Sequence, residues 1–182
     1  LGAYGDAGCV IASHDQLAEK IRRWANHGGL SKDDHLMEGF NSRMDTMQAA
    51  ILNVKLKYLE EWNVKRMRHS RLYFDNLSDI KSIQLPALRK NVVHTFHLFV
   101  IKAEQRNELK DFLAERGVQT AIHYPSALPF ELAYAHLAHV QDDFPVSTQL
   151  QNSVLSLPVS PEISEEQILY VCRMIRAFYE RN

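Results

Sequence analysis

Apolar positions along the chain change their spacing several times, and each change marks a different element. Residues 7–12 are a short apolar run of strand length, following a loop punctuated by Gly2, Gly5 and Gly8. Ser13 with Gln16 has the pattern of a capping box, and Leu17, Ile21 and Trp24 continue as a helical stripe. The stripe stops at Asn26-His27-Gly28-Gly29, a helix C-terminus by its glycines. After a polar loop over 27–42, Met44, Met47, Ile51, Val54 and Tyr58 recur at spacings of three and four. No Pro or Gly falls between Asn41 and Ile80, so one long helix is predicted from Arg43 to Asn76. A helix that long often belongs to two domains at once.

The second half alternates. Residues 92–102 read as a strand, 104–116 as a helix closed by Gly117, and 118–124 as another strand. Pro125, Pro129, Pro145, Pro158 and Pro161 break the chain beyond that strand into turns and short elements. Ser164 with Gln167 makes a second capping box, and Ile168, Val171, Ile175 and Phe178 give the last helix its apolar face. Strands alternating with helices predict an α/β fold.

Composition narrows the function. The 182 residues are 46% hydrophobic and 24% charged, enough for a substantial core. With 21 Lys+Arg against 22 Asp+Glu the net charge is −1, which argues against a nucleic-acid binder. The basic run Lys55, Lys57, Lys65, Arg66, Arg68 and Arg71 is diluted by Glu60 and Glu61 and reads as a solvated face. No apolar run approaches the roughly 18–20 residues that span a bilayer. Cys9 and Cys172, both in apolar surroundings, form no CxxC, so reduced thiols in a cytoplasmic protein are expected. The chain begins at Leu1 in a glycine-rich loop, and a missing front end is expected from that.

Candidate chemistry lies in a few places. The glycines of residues 2–8 fit neither a dinucleotide fingerprint nor a P-loop, leaving a tight loop feeding a strand. Nine histidines invite a metal, but His94 and His97 would point to opposite strand faces, and His136 with His139 lacks a carboxylate at ligand spacing. No metal is expected. Asn41-Ser42-Arg43 stands at a loop-to-helix junction: it either holds a phosphate or caps the long helix. His123-Tyr124-Pro125 ends a strand at a proline-rich loop, either as a ligand site at a strand end or as a terminating turn.

Taken in order, Leu-Gly-Ala-Tyr-Gly-Asp-Ala-Gly (1–8), Asn-His-Gly (26–28), Gly-Phe-Asn-Ser-Arg-Met-Asp (39–45), His-Thr-Phe-His-Leu-Phe-Val-Ile (94–101), Ile-His-Tyr-Pro (122–125) and Leu-Ser-Leu-Pro (155–158) form a specific set. This set resembles the DegT/DnrJ/EryC1/StrS family of pyridoxal-phosphate-dependent nucleotide-sugar aminotransferases, over essentially the whole chain. The resemblance implies the C-terminal half of a type I, aspartate aminotransferase-like fold. Residues 1–62 would end the large cofactor-binding domain and begin the long helix, and 63–182 would form the small α/β domain.

It also implies a function: transfer of an amino group, usually from glutamate, to a keto carbon of a nucleotide-linked sugar, in biosynthesis of amino sugars and surface polysaccharides. Asn41 matches the residue that reaches the cofactor phosphate of the neighbouring subunit, which implies a homodimer with shared active sites. Arg43 comes next but one in the same motif, either orienting that loop or meeting substrate phosphates. His123 and Tyr124 match positions lining the nucleotide-sugar cleft, with His27 as a further candidate. Residues 126–132 would help set substrate choice. The family's Schiff-base lysine lies about two residues before the position matched by Leu1, and none of the nine lysines here has that context. The chain by itself is therefore expected to be inactive, with no catalytic residue of its own. The alternative is a non-catalytic fragment or regulatory homologue that binds a sugar nucleotide or a protein partner.

Overall fold

In the computed structural model, which describes residues 1–181, Ile168, Val171, Ile175 and Phe178 are buried along one face of the last helix, α6 (Glu165–Glu180). Ser164 caps that helix: its hydroxyl accepts from the Gln167 N–H while the Gln167 side chain accepts from the Ser164 N–H, as the sequence pattern predicts. The other α-helices are α1 (Asp15–Ala25), α2 (Thr46–Leu56), α3 (Leu59–Leu77), α4 (Arg106–Ala114) and α5 (Pro145–Ser153), with three short 3-10 turns between α4 and α5. The strands are β1 (Ile83–Gln84), β2 (Phe99–Ala103) and β3 (Val154–Leu157). They form an antiparallel sheet in the order β1-β2-β3, with Phe99 opposite Leu157 and Ile83 opposite Ala103.

The chain divides into two units, Leu1–Glu60 and a second from Glu61 onward. The second unit holds the core. Phe99, Ile101 and Ala103 alternate inward along β2, and meet Tyr73 and Leu77 from α3, Leu109 and Leu113 from α4, and the inward face of α6. Tyr73 lies 4.7 Å from Phe99, ring to ring, and its hydroxyl donates to the Pro158 carbonyl at 2.8 Å. Burial pushes the Tyr73 phenol far above its ordinary pKa, so it stays a donor. Helix α4 closes through Gly117 at φ 75, with the Val118 N–H reaching back to the Leu113 carbonyl.

Several expected elements change. Residues 7–12 form no strand: Val10 and Ile11 are exposed and the segment has no ladder partner among the described residues. Helix α1 starts one residue later than expected, with His14 rather than Ser13 at its N-cap and no side-chain cap. The single long helix is two, because the N–H groups of Lys57 and Tyr58 bond three residues back and tighten the chain between α2 and α3. The strand expected over 92–102 begins only at Phe99, since Asn91 and Phe96 take positive φ. Gln105, also at positive φ, delays α4 to Arg106. The strand expected over 118–124 shrinks to one bridge, Ala121 with Ser156. Cys9 is exposed rather than set in apolar surroundings, whereas Cys172 is buried and its thiol pushed up to about 12 by desolvation.

Candidate functional site

In the first unit the loop after α1 is folded back on itself by backbone bonds. The Gly28 N–H reaches the Arg23 carbonyl at 2.7 Å, and the Phe40 N–H reaches that of Trp24 at 2.7 Å. Gly28, at φ 87, lies so close to Met37 that a Cβ would stand 1.6 Å from the Met37 carbonyl oxygen, so only glycine fits. Arg23 ties the loop to the helix by pairing with Asp34 at 2.8 Å and Glu19 at 2.9 Å. Hydrogen bonds from this guanidinium hold the Asp34 carboxyl below the usual carboxylate range.

This folding puts Asn26 opposite Asn41 in an isolated antiparallel bridge. Arg43 then reaches both: its Nε donates to Asn41 Oδ1 and its guanidinium to Asn26 Oδ1, each at 3.1 Å. With its oxygen engaged by Arg43, Asn41 has its amide NH2 left as the outward donor. Asn26 spends its own NH2 on the Gly29 carbonyl at 2.7 Å. Neither Asn41 nor Ser42 caps a helix, because α2 starts at Thr46 with Asp45 at its N-cap. The helix-cap alternative therefore falls. His27, exposed and at φ 55, donates its N–H to the Phe40 carbonyl at 3.0 Å and sits beside the same bridge. Asn41, Arg43 and His27 thus share one loop cluster.

The second unit brings His123 and Tyr124 together at a cavity of about 970 Å³. His123 Nδ1 and the buried Ser156 Oγ are 2.8 Å apart, which fixes the imidazole and leaves Nε2, among the described residues, as the nitrogen available to a ligand. Tyr124 is 73% exposed and stands edge-on to the His123 ring, at 5.5 Å between centroids. Pro125, Leu128, Phe144, Leu150 and Val154 make the cavity mostly apolar, with Gln151 and Glu131 as polar points. Gln151 accepts from the Ala127 N–H at 2.9 Å, and Arg106 donates to the Gln151 and Val154 carbonyls, so the loop after Tyr124 is tied to α5 and α5 to α4. An apolar enclosure with a few polar points is the usual form of a small-molecule site.

Two supporting residues escape a motif reading. Asn26 and Ser156 lie within the Asn-His-Gly and Leu-Ser-Leu-Pro segments, yet only the fold reveals that they hold Arg43 and His123. Among the described residues no group of three or more His, Cys, Asp or Glu is placed to hold a metal ion. His94 and His97 precede β2 rather than lying in it, and His94 Nδ1 accepts from the Phe96 N–H. His139, at 3.6 Å from Asp143, has only that one carboxylate partner among the described residues. No helix among the described residues is long and apolar enough to cross a membrane.

Comparison with known proteins adds the family. The model of the DegT/DnrJ/EryC1/StrS aminotransferase family matches residues 1–176. The chain is 40% identical over 177 residues to the erythromycin biosynthesis sensory transduction protein EryC1 of Saccharopolyspora erythraea, covering 97% of this chain and 48% of that one. It is 36% identical over 181 residues to a dTDP-3-amino-3,4,6-trideoxy-alpha-D-glucose transaminase of Streptomyces venezuelae, covering 100% and 48%. The solved structure of S. venezuelae DesV matches with a TM-score of 0.97 at 36% identity, over 100% of this chain and 49% of that chain. The chain therefore spans about half the length of the relatives it matches. With its α/β architecture, its loop cluster and a family match over nearly its whole length, the chain belongs to the DegT/DnrJ/EryC1/StrS aminotransferase family, which is pyridoxal-phosphate dependent.

Proposed function

We propose that this chain supplies the second half of a nucleotide-sugar aminotransferase, which moves an amino group from glutamate to a keto carbon of a nucleotide-linked sugar with pyridoxal 5'-phosphate. The observation that carries the reading is likeness along the whole of this chain to about half of one solved relative, DesV, at 36% identity and a TM-score of 0.97. Residues 1–62 would close the large domain and 63–182 form the small one. The setting we propose is a cytoplasmic homodimer with shared active sites. Exposed apolar side chains of the first unit, such as Val10, Ile11 and Met47, support an interface there.

The donor set of the loop cluster fits a phosphate. Asn41, its oxygen held by Arg43, offers an amide NH2 to the cofactor phosphate of a neighbouring subunit. The remaining N–H groups of Arg43 serve substrate phosphates, for which a guanidinium fork is suited. The cofactor, when bound, supplies the electron sink for the reaction. His123, held by Ser156, and the exposed phenol of Tyr124 bind and orient the sugar nucleotide, with His27 as a further cleft residue. Residues 126–132, several of which line the 970 Å³ cavity, set which sugar is accepted. The Schiff-base lysine belongs to the half that this chain does not include, so the chain alone is proposed to be inactive.

A second reading is favoured by one relative's name, the sensory transduction protein EryC1. In that reading the chain binds a sugar nucleotide or a partner without transamination. The test is to incubate the protein that carries this chain with pyridoxal phosphate, glutamate and dTDP- or UDP-linked keto sugars. The first reading expects an amino sugar nucleotide and stoichiometric 2-oxoglutarate. Nucleotide binding with no product, and no mass adduct after borohydride reduction, would replace it with the second.

A further inference from the structure

His123 also borders a second, smaller cavity of about 340 Å³. Arg66 from α3, His97 before β2, and His123 bring three nitrogen-bearing side chains to its wall. Gln119, Thr120 and Ser160 add an amide and two hydroxyls. Among the described residues no Asp or Glu lines it.

Arg66 is the permanent cation of this wall. In the same unit Arg68 pairs with Glu165, Arg71 with Asp75 and Arg176 with Asp79. Arg66 is half-buried and, among the described residues, makes no ion pair; its guanidinium touches the Val159 carbonyl at 3.4 Å. A guanidinium carries five N–H donors, so one long bond leaves most of the fork available. A partly desolvated cation without a counter-charge is stabilised by any anion that enters beside it. The imidazoles reinforce this, since a ring nitrogen can donate in both the neutral and the charged state. Small volume also selects: ligand cavities run from about 300 to 1,000 Å³, so this one suits a small anion or the anionic end of a larger molecule.

We infer that the cavity lined by Arg66, His97 and His123 is a binding site for a small oxyanion, a carboxylate or a phosphate. Because His123 also lines the larger cavity, a bound anion sits next to the proposed sugar-nucleotide site. The inference rests on the aminotransferase reading and deepens it by giving the amino donor's carboxylate, or a substrate phosphate, a place in the second unit. Anion binding itself requires no turnover.

The experiment titrates the isotope-labelled full chain with glutarate and, separately, with inorganic phosphate at constant ionic strength, following amide shifts. Saturable shifts centred on His97, Gln119, Thr120 and Ser160 are expected, with affinity falling about tenfold or more in Arg66→Gln, as for a lost charge-assisted hydrogen bond. His97→Asn should weaken binding by a smaller factor and serves if Arg66→Gln does not fold. Tighter glutarate binding identifies the amino donor as the source, and tighter phosphate binding identifies the substrate. No saturable shift with either anion, or unchanged affinity in the folded variants, overturns the inference. Anion binding without transamination by the intact protein would instead remove the enzyme reading and leave this one standing.

Discussion

Replacing Ser156 by Ala tests how the His123 imidazole is held. Ser156 is 5% exposed, and its Oγ lies 2.8 Å from His123 Nδ1. Alanine keeps the backbone pair with Ala121, whose two bonds measure 2.7 and 3.2 Å, and the register of β3 against Val100. It removes one oxygen and leaves no cavity large enough to matter. The cost is therefore that of one hydrogen bond, about 1 kcal/mol. For a chain of this size that lowers Tm by roughly 2–4 °C. Released from Ser156, the ring samples other rotamers, and about 1 kcal/mol of lost orientation corresponds to roughly fivefold weaker binding of the sugar nucleotide proposed for this site. Urea denaturation reads the first effect, and nitrogen shifts of the His123 ring read the second. Two results would refute the reasoning: a destabilisation above about 3 kcal/mol, which one hydrogen bond cannot supply, or His123 ring shifts identical to the parent.

Three further outcomes are expected. Arg106→Leu should cost roughly 1–3 kcal/mol in urea denaturation, because the buried Val154 carbonyl and the half-buried Gln151 carbonyl both lose their donor. Ile175→Ala, at a fully buried position in the core cluster, should cost about 2–5 kcal/mol by the same assay, the range of core truncations. Arg176 grips Asp79 through two 2.8 Å bonds and holds its carboxyl below the usual range. Since the folded pKa is depressed, the stabilisation is present above the unfolded carboxylate value and is lost as pH falls through the folded one. Asp79→Asn should therefore flatten the acid limb of a stability–pH profile, and an unchanged limb would assign the acid sensitivity elsewhere.

The parts of the fold legible in the sequence are those where one local signal and one packing face agree. Helix α6 is such a case: a capping box at Ser164 and a stripe every three or four residues correspond to its observed cap and its buried face. The break between α2 and α3 is the opposite case. Lys57 and Tyr58 are both acceptable in a helix, and nothing in residue type marks the bonds to residues three back that end α2 there. The apparent strand over 7–12 shows a further limit, since an apolar run reports local preference but cannot supply a pairing partner. Likewise Met47 and Val54 fall on a regular stripe yet are exposed, because periodicity identifies which face is apolar and not the element that would cover it.

The candidate site divides along the same line. The terminal chemistry, an amide at Asn41, a guanidinium at Arg43 and an imidazole beside a phenol at His123 and Tyr124, is visible as residue types in motifs. The groups that hold Arg43 and His123 lie far away in sequence. Arg43 is bonded to Asn26, which lies 17 positions back, and His123 to Ser156, 33 positions on. Those links depend on the Asn26–Asn41 and Ala121–Ser156 bridges, which are single backbone pairings with no alternating pattern to announce them. Arg43 and His123, the candidate groups, are thus each held through a bridge too short to appear as a strand. Substitutions at Asn26 and Ser156 should therefore disturb binding at the candidate site more than their separation in sequence from Arg43 and His123 suggests, while leaving the core of the second unit, built on α3, α4, α6 and β2, intact.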